Sequence, residues 1–163
     1  MMGIEQSGEE LTRSDTAERV SEVLERIASG LNVDVEIRVE EDADEVTAEY
    51  LGDDLGHLIG HHGAVIDAIQ HLTYRIVFHG TEDRKRISVD AAGYRERRAQ
   101  TLRALGDQAA ESAVRERRPV ALEPMTASER RVVHEHLKPR FDVETYSEGQ
   151  EPSRRLVVAP LVD

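Results

Sequence analysis

The chain has 163 residues, enough for one ordinary domain or two small ones, and 39% of them are hydrophobic, which allows only lean cores. It has no cysteine and no tryptophan, two phenylalanines and four tyrosines, which excludes disulfides, thiol catalysis and thiolate-held zinc and argues against a sheet of base-stacking aromatics. The net charge of -12 is unevenly spread: residues 1–56 hold 17 acids and 4 bases, whereas residues 57–163 hold 16 acids and 17 bases.

A phosphate-binding surface is therefore expected after Gly56, with the acidic third solvated or turned to a basic partner. No apolar run approaches about 18 residues, and the N-terminus lacks the shape of a signal peptide. No membrane insertion is expected, and cytoplasmic residence follows as the default.

Residues 1–13 are polar and aperiodic and are expected to form a disordered acidic lead. Asp15-Thr-Ala-Glu18 reads as a capping box, and Val20, Leu24, Ile27 and Leu31 follow at helical spacing, with Gly30 as the expected stop. Val33, Val35, Ile37 and Val39 then alternate with charged residues, the pattern of a half-buried strand. Val46, Ala48 and Tyr50 alternate more weakly and are expected to pair with it as a hairpin. After the Gly-His-His-Gly stretch, Val65, Ile69, Leu72 and Ile76 predict one face of a helix, and Ile87, Val89 and Ala91 a third strand.

Near Ala92-Gly93 the pattern changes. A long helix is expected from about Tyr94 to Arg117 through Leu102, Leu105, Ala109 and Ala113. A short connecting segment leads to a capping box, Thr126-x-x-Glu129, and a helix through Leu137 that Lys138-Pro139 closes. Strands around DVETYSEG and RRLVVAPLV end the chain. The fold class that follows is α+β, in two small domains: 14–92 and 93–163.

Two stretches carry chemistry. In LIGHHGAVIDAIQHL, Gly60 and Gly63 interrupt good helical material although each glycine disfavours helix by about 1 kcal/mol. Glycine belongs where the backbone turns left-handed or another molecule comes close. A helix beginning at Ala64 would point its free N–H groups and positive dipole end at an anion. In TASERRVVHEHL, Arg130 and His134 lie four apart, hence about 40° apart around a helix, beside Val133 and Leu137. An arginine fork suits phosphate, and an imidazole can stack or donate a hydrogen bond.

Helix, two strands, Ile59-Gly60-x-x-Gly63 between helical pieces, helix and strand is an order that resembles the KH domain in its bacterial (type II) topology. The Arg130-x-x-x-His134 helix with its neighbours resembles the small R-x-x-x-H domain. One following the other resembles the Jag (SpoIIIJ-associated) family over roughly residues 14–161. The resemblance implies a single-stranded RNA-binding protein (single-stranded DNA being the alternative ligand), in some members an RNA chaperone. It also implies a small KH-domain protein as heterodimer partner, or self-association, and links to cell elongation, division and envelope synthesis. The implied contacts are Ile59, Gly60, His61, His62, Gly63 and Ala64 in the first domain, with Val65 and Ile66 beside Ile59 in an apolar groove. In the second they are Arg130, Arg131, His134, Arg154 and Arg155. Two features depart from the family: histidines stand where a lysine or arginine is common in the loop, and the basic N-terminal domain that many members carry is not expected here, where only the short acidic lead stands.

The rival readings are weaker. His57, His61, His62 and His71 cluster in sequence, as do His134 and His136, but the loop pair lacks a rigid frame and the second pair does not share a helical face. No nucleophile or carboxylate constellation accompanies them, so neither an enzyme nor a cofactor is expected. A protein-pairing module that has lost RNA binding is the other alternative.

Overall fold

A computed structural model describes residues 14–161; the expected lead, residues 1–13, lies outside them. The chain divides into two compact units, the first running to Tyr94 and the second starting at Arg95.

In the first unit, α1 (Asp15–Gly30) is capped by Ser14, whose hydroxyl accepts from the Ala17 N–H, and not by Asp15 as expected. Its end also differs: the left-handed residue is Asn32 (φ 56°), while Gly30 is still helical. Strands β1 (Glu36–Glu41) and β2 (Glu45–Leu51) form the expected antiparallel hairpin, although Val33 and Val35 precede the strand. β3 (Arg86–Ala91) pairs in parallel with β2, which is central in the order β1-β2-β3. Val46, Ala48 and Tyr50 of β2 and Ile87, Val89 and Ala91 of β3 all point into the core. The Tyr50 hydroxyl donates to the Leu24 carbonyl at 2.8 Å, so its burial leaves no polar atom unpaired, and burial pushes that hydroxyl's pKa up.

Between β2 and β3 lie a one-turn helix α2 (Gly56–Ile59), a single 3-10 turn at His61–Gly63, and α3 (Ala64–Val77). The buried face of α3 is Ile66, Ile69, Thr73 and Val77. That corrects the expected face: Leu72 and Ile76 are 48% and 45% exposed.

Helix α4 (Tyr94–Glu116) starts at the last residue of the first unit; in the second it buries Leu102, Gly106, Ala109, Ala110 and Ala113, and Leu105, expected inside, faces out. The segment read as a connection is a strand, β4 (Val120–Pro124). α5 (Ala127–Leu137) starts with the expected capping box, both halves present. β5 (Val143–Glu148) and β6 (Arg155–Pro160) complete an antiparallel sheet in the order β4-β6-β5. Leu102, Val133, Leu137, Leu156 and Val158 form its core. Both units mix helices with a three-stranded sheet, and the fold is α+β.

Candidate nucleic-acid interface

The Gly-His-His-Gly stretch forms a tight turn between α2 and α3. Three of its residues are left-handed: Gly60 (φ 73°), His62 (φ 51°) and Gly63 (φ 81°). Gly60 also has ψ -174°, a region that essentially only glycine enters. A Cβ there would collide with Cγ2 of Val65 and lie 2.9 Å from the Val65 backbone nitrogen. At Gly63 it would lie 2.7 Å from Cε1 of Tyr94. The two glycines are thus required by close approaches within the chain itself, where the sequence suggested room for a ligand.

The turn presents His61 and His62 to solvent, their rings 3.9 Å apart between centroids and inclined by 31°. Gly63 is buried, Ala64 is exposed, and Gly63, standing at the N-cap of α3, makes no side-chain cap. The first amides of that helix have no partner within the helix, and the helix dipole adds positive potential at the same point. Ile59 and Val65 are half-buried beside the turn; Ile66 is fully buried in the core and does not line a groove. An open groove of this unit runs between α3 and the sheet, lined by Asp67, Gln70, His71 and Tyr74 on one side and Glu45, Arg86, Ile87 and Ser88 on the other. Gln70 Oε1 accepts from the Val89 N–H at 2.9 Å across it.

In the second unit a groove of about 360 Å³ brings together Arg130, Arg131, His134 and Arg154 with Thr145, Tyr146 and Ser147 of β5. Arg131 and His134 are exposed, and His134 Nδ1 is hydrogen-bonded to Thr145 Oγ1 at 2.5 Å. Arg130 is only 7% exposed. Its Nη1 donates to the Met125 carbonyl at 2.6 Å and its Nη2 to Glu151 Oε1 at 2.7 Å. Arg154 is half-buried and donates to the Gly149 carbonyl at 2.9 Å. Arg155 lies outside the groove and pairs with Glu148. Reading the sequence missed Tyr146, an exposed aromatic in the groove. The alternation of VETYSE marks it as a strand residue but not which face stays open. Among the described residues no group of three or more histidines, aspartates or glutamates is arranged to hold a metal ion, and no helix is long and apolar enough to cross a membrane.

The two units are those of a KH domain followed by an R-x-x-x-H domain. A family model described as KhpA/KhpB, KH domain matches residues 17–90, and the model of the R-x-x-x-H (R-three-H) domain matches residues 100–160. The chain is 37% identical over 144 residues to "RNA-binding protein KhpB" of Clostridium symbiosum, covering 87% of this chain and 65% of that protein. It is 29% identical over 147 residues to the protein of the same name from Bacillus subtilis, covering 89% of this chain and 71% of that one. With the Lactiplantibacillus plantarum protein of that name the identity is 38% over 104 residues, covering 64% of this chain and 32% of that one. The chain thus spans just under two thirds of the Clostridium symbiosum relative and about a third of the Lactiplantibacillus plantarum one. It carries a KH domain followed by an R-x-x-x-H domain, and over most of its length it is similar to proteins named KhpB.

Proposed function

We propose that the protein binds single-stranded RNA, with the Gly60–Gly63 turn and the Arg131/His134 groove each taking a stretch of backbone. It acts without catalysis, in the cytoplasm, as an RNA chaperone or post-transcriptional regulator serving cell elongation, division and envelope synthesis, alongside a small KH-domain protein. The observation that carries this reading is the turn itself: two exposed imidazoles at the start of α3, where a glycine stands in place of a capping side chain, on a backbone fixed by two glycines. Such a helix start attracts phosphate, and recognition by loop and groove requires bases splayed out of a duplex. The names of the relatives support RNA as the ligand.

The test is titration of a labelled single strand over several salt concentrations. Affinity should fall linearly on a log–log plot, since each neutralised phosphate of a single strand adds about -0.7 to the slope, and a duplex of the same sequence should bind more weakly. A flat salt response or a preference for duplex would sink the reading.

One observation favours a second reading, in which the first unit pairs with another protein. Leu72 and Ile76 form an exposed apolar stripe on α3, a surface suited to a KH partner or a second copy. Sedimentation of the chain alone and with the small KH protein separates the two readings: pairing with no RNA affinity favours the second.

A further inference from the structure

The segment that leaves β3 is built unusually. Ala92 (φ 45°) and Gly93 (φ 67°) are two consecutive left-handed residues, and an alanine holds that conformation only where its surroundings impose it. The surroundings are specific. The Ala92 N–H donates to the Tyr50 carbonyl at 3.0 Å, and the Gly93 N–H donates to Glu49 Oε1 at 3.1 Å. Both anchors belong to β2, the central strand of the first sheet. The next residue, Tyr94, packs against the first core, and its ring edge occupies the space a side chain at Gly63 would fill.

We infer that this turn is a buttress and that Tyr94 is a positioning residue for the Gly-His-His-Gly turn. The backbone bonds within the Gly-His-His-Gly turn are few: the long Gly63 N–H to Gly60 carbonyl contact at 3.4 Å and the bond from the Ala64 N–H to the His61 carbonyl. His61 and His62 themselves are exposed. With Val65 filling the space at Gly60 and the Tyr94 ring filling it at Gly63, the turn is clasped at both ends. A clasp at only one end would leave the imidazoles and the start of α3 free to drift relative to each other. The strained exit from β3 has a use on this account: it aims a flat ring at a glycine that can accept one. Tyr94 need not touch a ligand to matter, because a site held by its supporting contacts loses affinity when those contacts go.

This inference rests on the proposed RNA site only for its consequence, and the test separates the two. Amide hydrogen exchange is measured at Gly60, Gly63 and Ala64 in the full chain without RNA, with Ala48 and Tyr50 of β2 as internal references. In Tyr94→Ala the three turn amides should exchange faster while the β2 amides keep their wild-type rates. Tyr94→Phe, which keeps the ring edge that meets Gly63, should stay closer to wild type than Tyr94→Ala. If Tyr94→Ala does not fold, Tyr94→Leu, which keeps apolar bulk without a flat ring, gives the same readout. Unchanged turn amides overturn the buttress, and so does equal acceleration of turn and β2, which would mean a general loss of stability. The RNA titration is then repeated: Tyr94→Ala should bind the single strand several-fold more weakly, and Tyr94→Phe should lose less. A loosened turn with full RNA affinity overturns the positioning role. Absence of RNA binding by the wild type sinks the proposed function and leaves the exchange result standing.

Discussion

Arg130 donates from Nη2 to Glu151 Oε1 at 2.7 Å, with the arginine side chain 8% exposed and the glutamate side chain 58% exposed. The glutamate thus caps a guanidinium that already bonds the Met125 carbonyl. Its Nη1 also reaches the Arg154 carbonyl at 3.4 Å, which accepts the Met125 N–H at 3.1 Å, so Arg130 ties the start of α5 to the residue that precedes β6. In this chain the arginine of the R-x-x-x-H pattern braces the second domain, and the side chains open to solvent in the groove are its neighbours. Replacing Arg130 by methionine should strand the buried Met125 carbonyl, while water takes over the exposed Glu151 carboxylate. The expected cost is about 1–3 kcal/mol, read as a lower urea midpoint for the second domain. A variant as stable as wild type would remove the bracing role.

Arg131 behaves oppositely. It is exposed on the same helix and lines the same groove. Arg131→Ala should leave stability within about 0.5 kcal/mol, as for most surface changes. It should weaken single-strand binding and flatten the salt dependence by about the slope of one phosphate contact. Full affinity in this variant would shift the contact away from α5.

Gly60 and Gly80 share a positive φ, but Gly60 adds a ψ of -174°, a combination that essentially only glycine adopts. Both are left-handed, at φ 73° and 72°, but a Cβ on Gly80 meets nothing within 4 Å. At Gly60 it meets Val65, including the backbone nitrogen, which cannot swing aside. Gly80→Ala should therefore cost only the conformational penalty, about 1 kcal/mol. Gly60→Ala should cost clearly more and lower the thermal midpoint of the KH domain by several degrees beyond it. Equal costs would show that the backbone relaxes around Val65.

Glu41 predicts an acid limb in the same domain. The Lys85 ammonium, 2.6 Å from its Oε1, holds the carboxyl below the ordinary glutamate range, and the Ser14 hydroxyl adds to this. A carboxylate with a lowered pKa contributes stability above the unfolded value, about 4.3, and that contribution is lost as pH falls through the folded value. Glu41→Gln should be less stable than wild type at pH 7, and the two curves should converge in acid below that range. A constant gap down to acid pH would mean that the pair contributes nothing through its charge.

What could be read from the sequence depended on whether a pattern is local. Val46, Ala48 and Tyr50 announced their buried face because alternation on a strand leaves only two sides. Helix α3 was harder: Leu72 and Ile76 keep helical spacing as well as Ile69 and Val77 do, and periodicity cannot say which of two adjoining apolar stripes meets the core. β4 escaped notice because it is short and ends in Pro124, which reads as a loop signal. In the site, the Gly-x-x-Gly turn and the Arg-x-x-x-His pair were legible as residue types at a spacing. The burial of Arg130 was not, because its partners, Met125, Glu151 and Arg154, lie five to 24 residues away in the chain. Tyr94 was invisible for the same reason, as it reaches Gly63 across 31 residues of sequence.

The two loop histidines give the last prediction. Most phosphate-binding side chains carry permanent charge, whereas an imidazole carries charge only once it takes up a proton. His61 and His62 stand with ring centroids 3.9 Å apart at the start of α3. Two cations at that spacing repel each other, and a phosphate placed against both offsets the repulsion, so RNA and protons should bind with mutual support. Affinity for a single strand should therefore rise between pH 7.5 and 6 at constant ionic strength. The His61→Ala/His62→Ala variant should bind more weakly at pH 6 and respond much less over the same range. His134 lies in the other groove and remains in both proteins, so any response it contributes is common to the two curves. Parallel curves would move the proton-linked contact from the turn to His134, and a flat curve in both would mean that the turn holds RNA through its backbone amides alone.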